Sequence, residues 1–197
     1  MRNFYATDYF FLVFGNILCL ILGKIVLKRN GMARKSMCSN ETKVFFVSKR
    51  TKAIRYGAFV ERKNLRMIVF PKTSSILYER AICDCPELDT LIFKSQELDG
   101  ERVSHWDIIW QNVITCCPKL HDIYLYAENP EKVSFAIFED LENLGDITLH
   151  VPCFCAHKYL EYGVEYFNWV GNKKIVKSWR KFKRIEEFDP IDFIEEQ

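Results

Sequence analysis

The chain has 197 residues, 49% of them hydrophobic, enough for one domain of ordinary size with a continuous core and too many for global disorder. Its 28 basic and 26 acidic side chains leave a formal charge of +2. That excludes the strong overall field that draws a protein onto nucleic acid or acidic lipid, so any electrostatic partner is met locally.

The first element is apolar. Tyr9 to Leu27 is almost unbroken hydrophobe, with Asn16 and Lys24 as its main interruptions, and is about as long as a helix that crosses a bilayer. Lys28, Arg29, Arg34 and Lys35 follow it while only Arg2 precedes it, an asymmetry that would hold the remainder of the chain in the cytoplasm. Three readings stand for residues 1–40: a membrane anchor or uncleaved signal with a basic linker, a cleaved signal, or a true start at Met32 or Met37.

Residues 41–151 carry a repeat. Val47 aligns with Phe70, Ile54 with Leu77, Ala58-Phe59 with Ala81-Ile82, and Leu65 with Leu88, each offset being 23 residues. The pattern L-x-x-[IL]-x-[FL] occurs at Leu65-Ile68-Phe70, Leu88-Leu91-Phe93, Leu120-Ile123-Leu125 and Leu144-Ile147-Leu149, and Phe45 with Val47 keep the end of an earlier copy. Such a pattern describes one turn of a coil, in which a leucine enters the core and alternate residues of a short strand point inward. Stacked turns pair their strands in parallel and fuse their apolar rows into one core.

These residues resemble the repeat of the BspA-like leucine-rich repeat proteins: an isoleucine, an alanine-phenylalanine pair, a cysteine, a leucine, and a strand ending in proline. Ile54, Ala58-Phe59, Leu65, Ile68 and Phe70-Pro71 match one unit, and Leu77, Ala81-Ile82, Cys85, Leu88, Leu91 and Phe93 the next. Cys117 takes the place of Cys85 in the following unit, whereas Arg62 and Leu141 stand at that place in the first and last. The resemblance implies an α/β fold: a short leucine-rich repeat solenoid with a parallel β-sheet, short convex helices or turns, and a C-terminal cap.

Between Leu88 and Leu120 the offset grows to 32, nine more than 23, and insertions in repeat arrays go to loops. Ser104 with Asp107 resembles a capping box, and Trp106, Ile109, Trp110 and Val113 recur at helical spacing, which predicts a short amphipathic helix. Residues 152–197 read as the cap and an acidic tail. Val151-Pro152, Tyr159, Trp179, Phe182 and Ile185 resemble the family's closing element. Seven basic residues lie between Lys173 and Arg184, the solvated side of that cap rather than a nucleic-acid site.

The eight cysteines fall mostly in close pairs without C-x-x-C spacing, so they read as small buried residues and not as a zinc set. His105, His121, His150 and His157 are scattered, and His157 beside Cys153 and Cys155 is the one grouping that invites a metal assay. With no Gly-rich phosphate loop and no G-x-S-x-G elbow, the sequence offers no catalytic residue, metal site or cofactor.

Period-two alternation then separates the two sides of each long strand. Phe45, Ile68, Leu91, Ile123 and Ile147 should face inward, leaving Phe46, Val69, Ile92, Tyr124 and Thr148 as an outward row with Tyr126 near its edge. A face this apolar predicts a protein-binding surface. The expectation is a non-enzymatic interaction module with a protein partner, of the membrane-anchored, secreted or cell-surface adhesin kind that the resemblance implies. The alternative is a membrane-anchored scaffold that associates with itself through edge strands.

Overall fold

The computed structural model describes residues 32–33, 39, 41–101, 112–167, 173–176 and 178–190. The apolar segment 9–27 and most of the insertion helix expected at 104–113 lie outside them. Among the described residues no helix is long and apolar enough to cross a membrane.

The chain is built of mostly parallel strands with few helices. After β1 (Met32–Ala33) it makes three similar circuits, each of one longer and two short strands. These are β2 (Val44–Phe46), β3 (Ala53–Ile54) and β4 (Phe59–Val60), then β5 (Met67–Phe70), β6 (Ile76–Tyr78) and β7 (Ile82–Cys83), then β8 (Thr90–Phe93), β9 (Asp99–Glu101) and β10 (Ile114–Thr115). The next circuit opens with β11 (Asp122–Leu125) and continues as 3-10 turns at Pro130–Lys132, Phe135–Ile137 and Leu144–Asp146. Then come β12 (Thr148–Pro152), helix α1 (Ala156–Glu161), β13 (Val164–Phe167), β14 (Lys173–Val176), a 3-10 turn at Ser178–Lys181, and β15 (Arg184–Phe188).

Strands of equal place stack in parallel. The longer ones form a six-stranded sheet in the order β15-β12-β11-β8-β5-β2, and the short ones form sheets β1-β3-β6-β9 and β10-β7-β4. The 23-residue offset is the register: Val44 pairs with Met67 and Met67 with Thr90. Where short helices or turns were expected on the far side of each early circuit, the chain forms short parallel strands instead. β-Branched and aromatic residues favour a pleated surface, and stacking satisfies backbone groups that an isolated two-residue strand would leave bare.

The corners are local. The amide of each repeat leucine donates to the carbonyl three residues back, Leu65 to Arg62 (3.3 Å), Leu88 to Cys85 (3.2 Å), Leu120 to Cys117 (3.1 Å) and Leu144 to Leu141 (3.2 Å). Ala58 and Ala81 close a second corner in the same way, onto Arg55 and Tyr78, each at 3.1 Å. Both alanine side chains are fully buried at this corner. Gly57 at this corner takes φ 66°, a left-handed conformation that glycine adopts without steric cost.

Inside the circuits the repeat residues form one core, Leu65, Ile68, Leu88, Leu91, Ile123 and Leu149 among them. A chain of aromatic rings threads it. Phe45 meets Phe59 (5.2 Å), Phe59 meets Phe70 (6.1 Å), Phe70 stacks on Phe93 (4.7 Å, 4° between planes), and Phe93 meets Phe138 (6.3 Å). Phe138 then packs on Trp179 and Phe182, so the residues read as a cap do enter the end of the core, and Ile185 is partly buried against it.

Two expectations need correction at this end. Ile123 pairs with Leu149, not with Ile147, a slip of two residues. Leu144-Ile147-Leu149 satisfies the sequence pattern, but Leu144–Asp146 is wound into a 3-10 turn closed by the Ile147 amide on Leu144 (3.2 Å). Ile147 is therefore buried at the corner and the strand begins after it. The second correction is Arg184–Phe188, which lies in parallel on β12 as a sixth strand instead of serving only as cap.

Candidate functional site

On the outward side of the six-stranded sheet, register gives one row as Phe46, Val69, Ile92, Tyr124, His150 and Glu186. Beside it run Val44, Met67, Thr90, Asp122, Thr148 and Arg184, so Thr148 neighbours Asp122 and not Tyr124 as expected. The two-residue slip keeps Thr148 on the outward side, because side chains alternate with period two.

The expected binding residues are unequally available. Phe46 is 49% exposed and Tyr124 half-buried, whereas Val69, Tyr126 and Thr148 are buried and Ile92 is only 1% exposed. Val69, Ile92 and Tyr126 form a second apolar cluster, separate from the core, against which Met67, Tyr124 and Phe188 pack. Phe188 supplies part of this cover, with ring centroids 5.3 Å from Tyr124 and 5.2 Å from Tyr126. The Tyr126 hydroxyl donates to the Pro190 carbonyl at 3.4 Å, and Lys94 Nζ lies 6.0 Å from the Tyr126 ring. Val44, 45% exposed, extends the open apolar strip beside Phe46 at the β2 end.

At the opposite end the face turns polar. His150 stacks on Tyr124 (4.1 Å, 7° between planes) and its Nε2 lies 2.8 Å from Asp122 Oδ1. His121 Nδ1 meets the other Asp122 oxygen at 2.6 Å, and His150 Nδ1 lies 3.9 Å from Glu186, which pairs with Arg184 at 2.9 Å. Burial by itself would raise the Asp122 carboxyl, but the hydrogen bonds of His150 and His121 outweigh it and hold it below the ordinary carboxylate range. Burial, with Asp122 and Glu186 nearby, pushes the Tyr124 hydroxyl up, so it stays protonated as a hydrogen-bonding group. His150 thus spends Nε2 on the Asp122 carboxylate.

Sequence reading missed Arg184, Glu186 and Phe188 as members of this face. Ile185 fits the second place of the repeat pattern, but Phe182 stands where the leucine would be and Glu187 stands at the third place. That glutamate has another task. Its carboxylate accepts the Ala156 amide at 3.1 Å at the start of α1, and hydrogen bonds from the Phe154 and Ala156 amides lower its pKa.

Other groupings are less developed. A shallow depression of about 330 Å³ is lined by Ser75, Glu97, Asp99, Glu131, Lys132 and Ser134, with Lys132 and Glu97 paired at 2.8 Å. Among the described residues no group of three or more His, Cys, Asp and Glu side chains could hold a metal ion. Of the basic stretch, Arg180 donates to the Leu160 carbonyl at 3.0 Å and Lys181 lies 5.5 Å from the Phe135 ring. No protein-family model matches the chain, and neither a curated protein nor a solved structure does so.

Proposed function

We propose that the chain is a short leucine-rich repeat solenoid, similar to the BspA-like proteins, and that it works as a non-enzymatic protein-interaction module. In-register parallel stacking of units 23 residues apart supports the solenoid reading. The apolar segment 9–27 supports attachment to a membrane or export. The observation that carries the binding reading is the outward face itself. An exposed strip of Val44 and Phe46 runs into the cluster of Met67, Val69 and Ile92, away from the main core.

Large apolar side chains left on one continuous sheet face are what a protein partner covers, with aromatic residues as anchors. The contact is therefore centred on Phe46 and Met67, with Tyr124 and His150 as its polar margin. Ile92 and Val69 support it from beneath. Phe46→Glu in the full chain should lower capture of a partner from the native source at least tenfold and leave the far-ultraviolet circular dichroism unchanged. Exposed Tyr56→Glu, at a corner away from the face, should leave capture intact. Equal losses from both substitutions, or from neither, would remove the outward face from consideration.

A further inference from the structure

The corner Val60-Glu61-Arg62 recurs as Cys83-Asp84-Cys85 and Thr115-Cys116-Cys117, and its middle residue has positive φ each time, 57°, 54° and 52°. Thr115 pairs with Cys83, and the Asp84 amide donates to the Thr115 carbonyl at 3.3 Å. Cys85 and Cys117 therefore occupy one column in consecutive circuits. Adjacent strands lie about 4.8 Å apart, within the roughly 4.4–6.8 Å between Cα atoms that a disulfide spans.

The two thiols are oriented alike. Cys85 Sγ donates to the Cys83 carbonyl at 3.5 Å and Cys117 Sγ to the Thr115 carbonyl at 3.3 Å. Both side chains are buried and both cysteines are free. Each thiol is the largest influence on the other, raising that of Cys117 far above the ordinary range and lowering that of Cys85, while burial pushes both upward. Neighbouring Cys83 is committed elsewhere, its sulfur 3.0 Å from Asp84 Oδ2 and 3.5 Å from Arg80 Nη2, with burial pushing its thiol up to about 11.

We propose that Cys85 and Cys117 form a two-electron oxidation site, at which hydrogen peroxide converts the stacked thiols into a disulfide joining consecutive circuits. The Cys85 thiolate attacks one peroxide oxygen and the O–O bond breaks, giving a sulfenic acid and hydroxide. The released hydroxide takes the Cys117 proton as that sulfur displaces a second hydroxide from the Cys85 sulfur, and the S–S bond forms. The two thiol protons and the two hydroxides leave as two waters. The sulfurs lose two electrons and peroxide gains them. Peroxide suits the site because a larger oxidant would have to enter the core to form a mixed disulfide. The product closes the enlarged circuit between positions 85 and 117 into a covalent ring, which restricts the unfolded chain.

The test treats the full chain with hydrogen peroxide while circular dichroism shows it folded, blocks remaining thiols with iodoacetamide, and maps the peptides by mass spectrometry. The expected result is a Cys85–Cys117 cross-linked peptide and a thermal midpoint several degrees higher, reversed by a phosphine reductant. Cys85→Ser should lose both effects; if it does not fold, the peptide map of the unsubstituted chain decides alone. Recovery of the two cysteines alkylated, as sulfinic or sulfonic acids, or bridged to other cysteines such as Cys116 would overturn the proposal.

Discussion

Asp122 holds together the polar end of the outward face. It receives His121 on one oxygen and His150 on the other, and through His150 it reaches Tyr124 and Glu186. A carboxyl whose folded pKa is depressed contributes stability that is present above its unfolded value, about 3.9, and is lost as the pH falls through the lower folded value. Asp122→Asn should therefore lower the urea midpoint at about pH 5, and the difference from the unsubstituted chain should vanish near about pH 2. A penalty that is the same at both pH values would mean that the side chain matters for its shape and not for its charge.

At the scale of elements, α1 shows how a short helix is fixed without strong intrinsic propensity. Six residues are too few to hold a helix by themselves. Two distant contacts secure it: Glu187 from β15 accepts the amide of Ala156, and the fully buried Tyr159 donates its hydroxyl to the Ala127 carbonyl at 2.7 Å while packing on Trp179 at 5.0 Å. Tyr159→Phe keeps the packing and removes the hydroxyl, leaving a buried carbonyl without that donor. It should cost about 1–3 kcal/mol in denaturant unfolding. A loss well under 0.5 kcal/mol would indicate that the hydroxyl is replaceable by water.

Elements also differ in how far they were legible. β5 and β8 could be read directly, because Leu65-Ile68-Phe70 and Leu88-Leu91-Phe93 place every apolar residue where the core needs it. β12 misled the pattern, because Leu144 and Ile147 are apolar for the sake of a corner, and a corner residue spaced like a strand residue is indistinguishable by period. β15 was obscured by Glu187, whose carboxylate serves a helix formed by residues about thirty positions earlier. The outward face was assigned to the correct side, since a two-residue slip preserves alternation. Its burial was not legible. Ile92 looks like a surface residue in sequence, and the cluster around it draws on Phe188 from a strand that the repeat pattern does not announce.

At the scale of the whole molecule, the aromatic chain from Phe45 through Phe93 to Phe138 and Trp179 links the first circuit to the last. Contacts pass from neighbour to neighbour, as expected when each unit buries its apolar side against the next. The proposed binding surface follows from the same stacking, which brings Phe46, Met67 and Tyr124 from separate circuits onto one side. The most direct test is the electron-electron distance between spin labels introduced through non-cysteine chemistry at exposed Val44 and Arg184, the two ends of one outward row. Five strand spacings of about 4.8 Å put their backbones about 24 Å apart. A single narrow distribution near that value, after allowance for the label arms, is the expected result. A broad distribution, or one centred beyond about 40 Å, would contradict the six-stranded parallel stack.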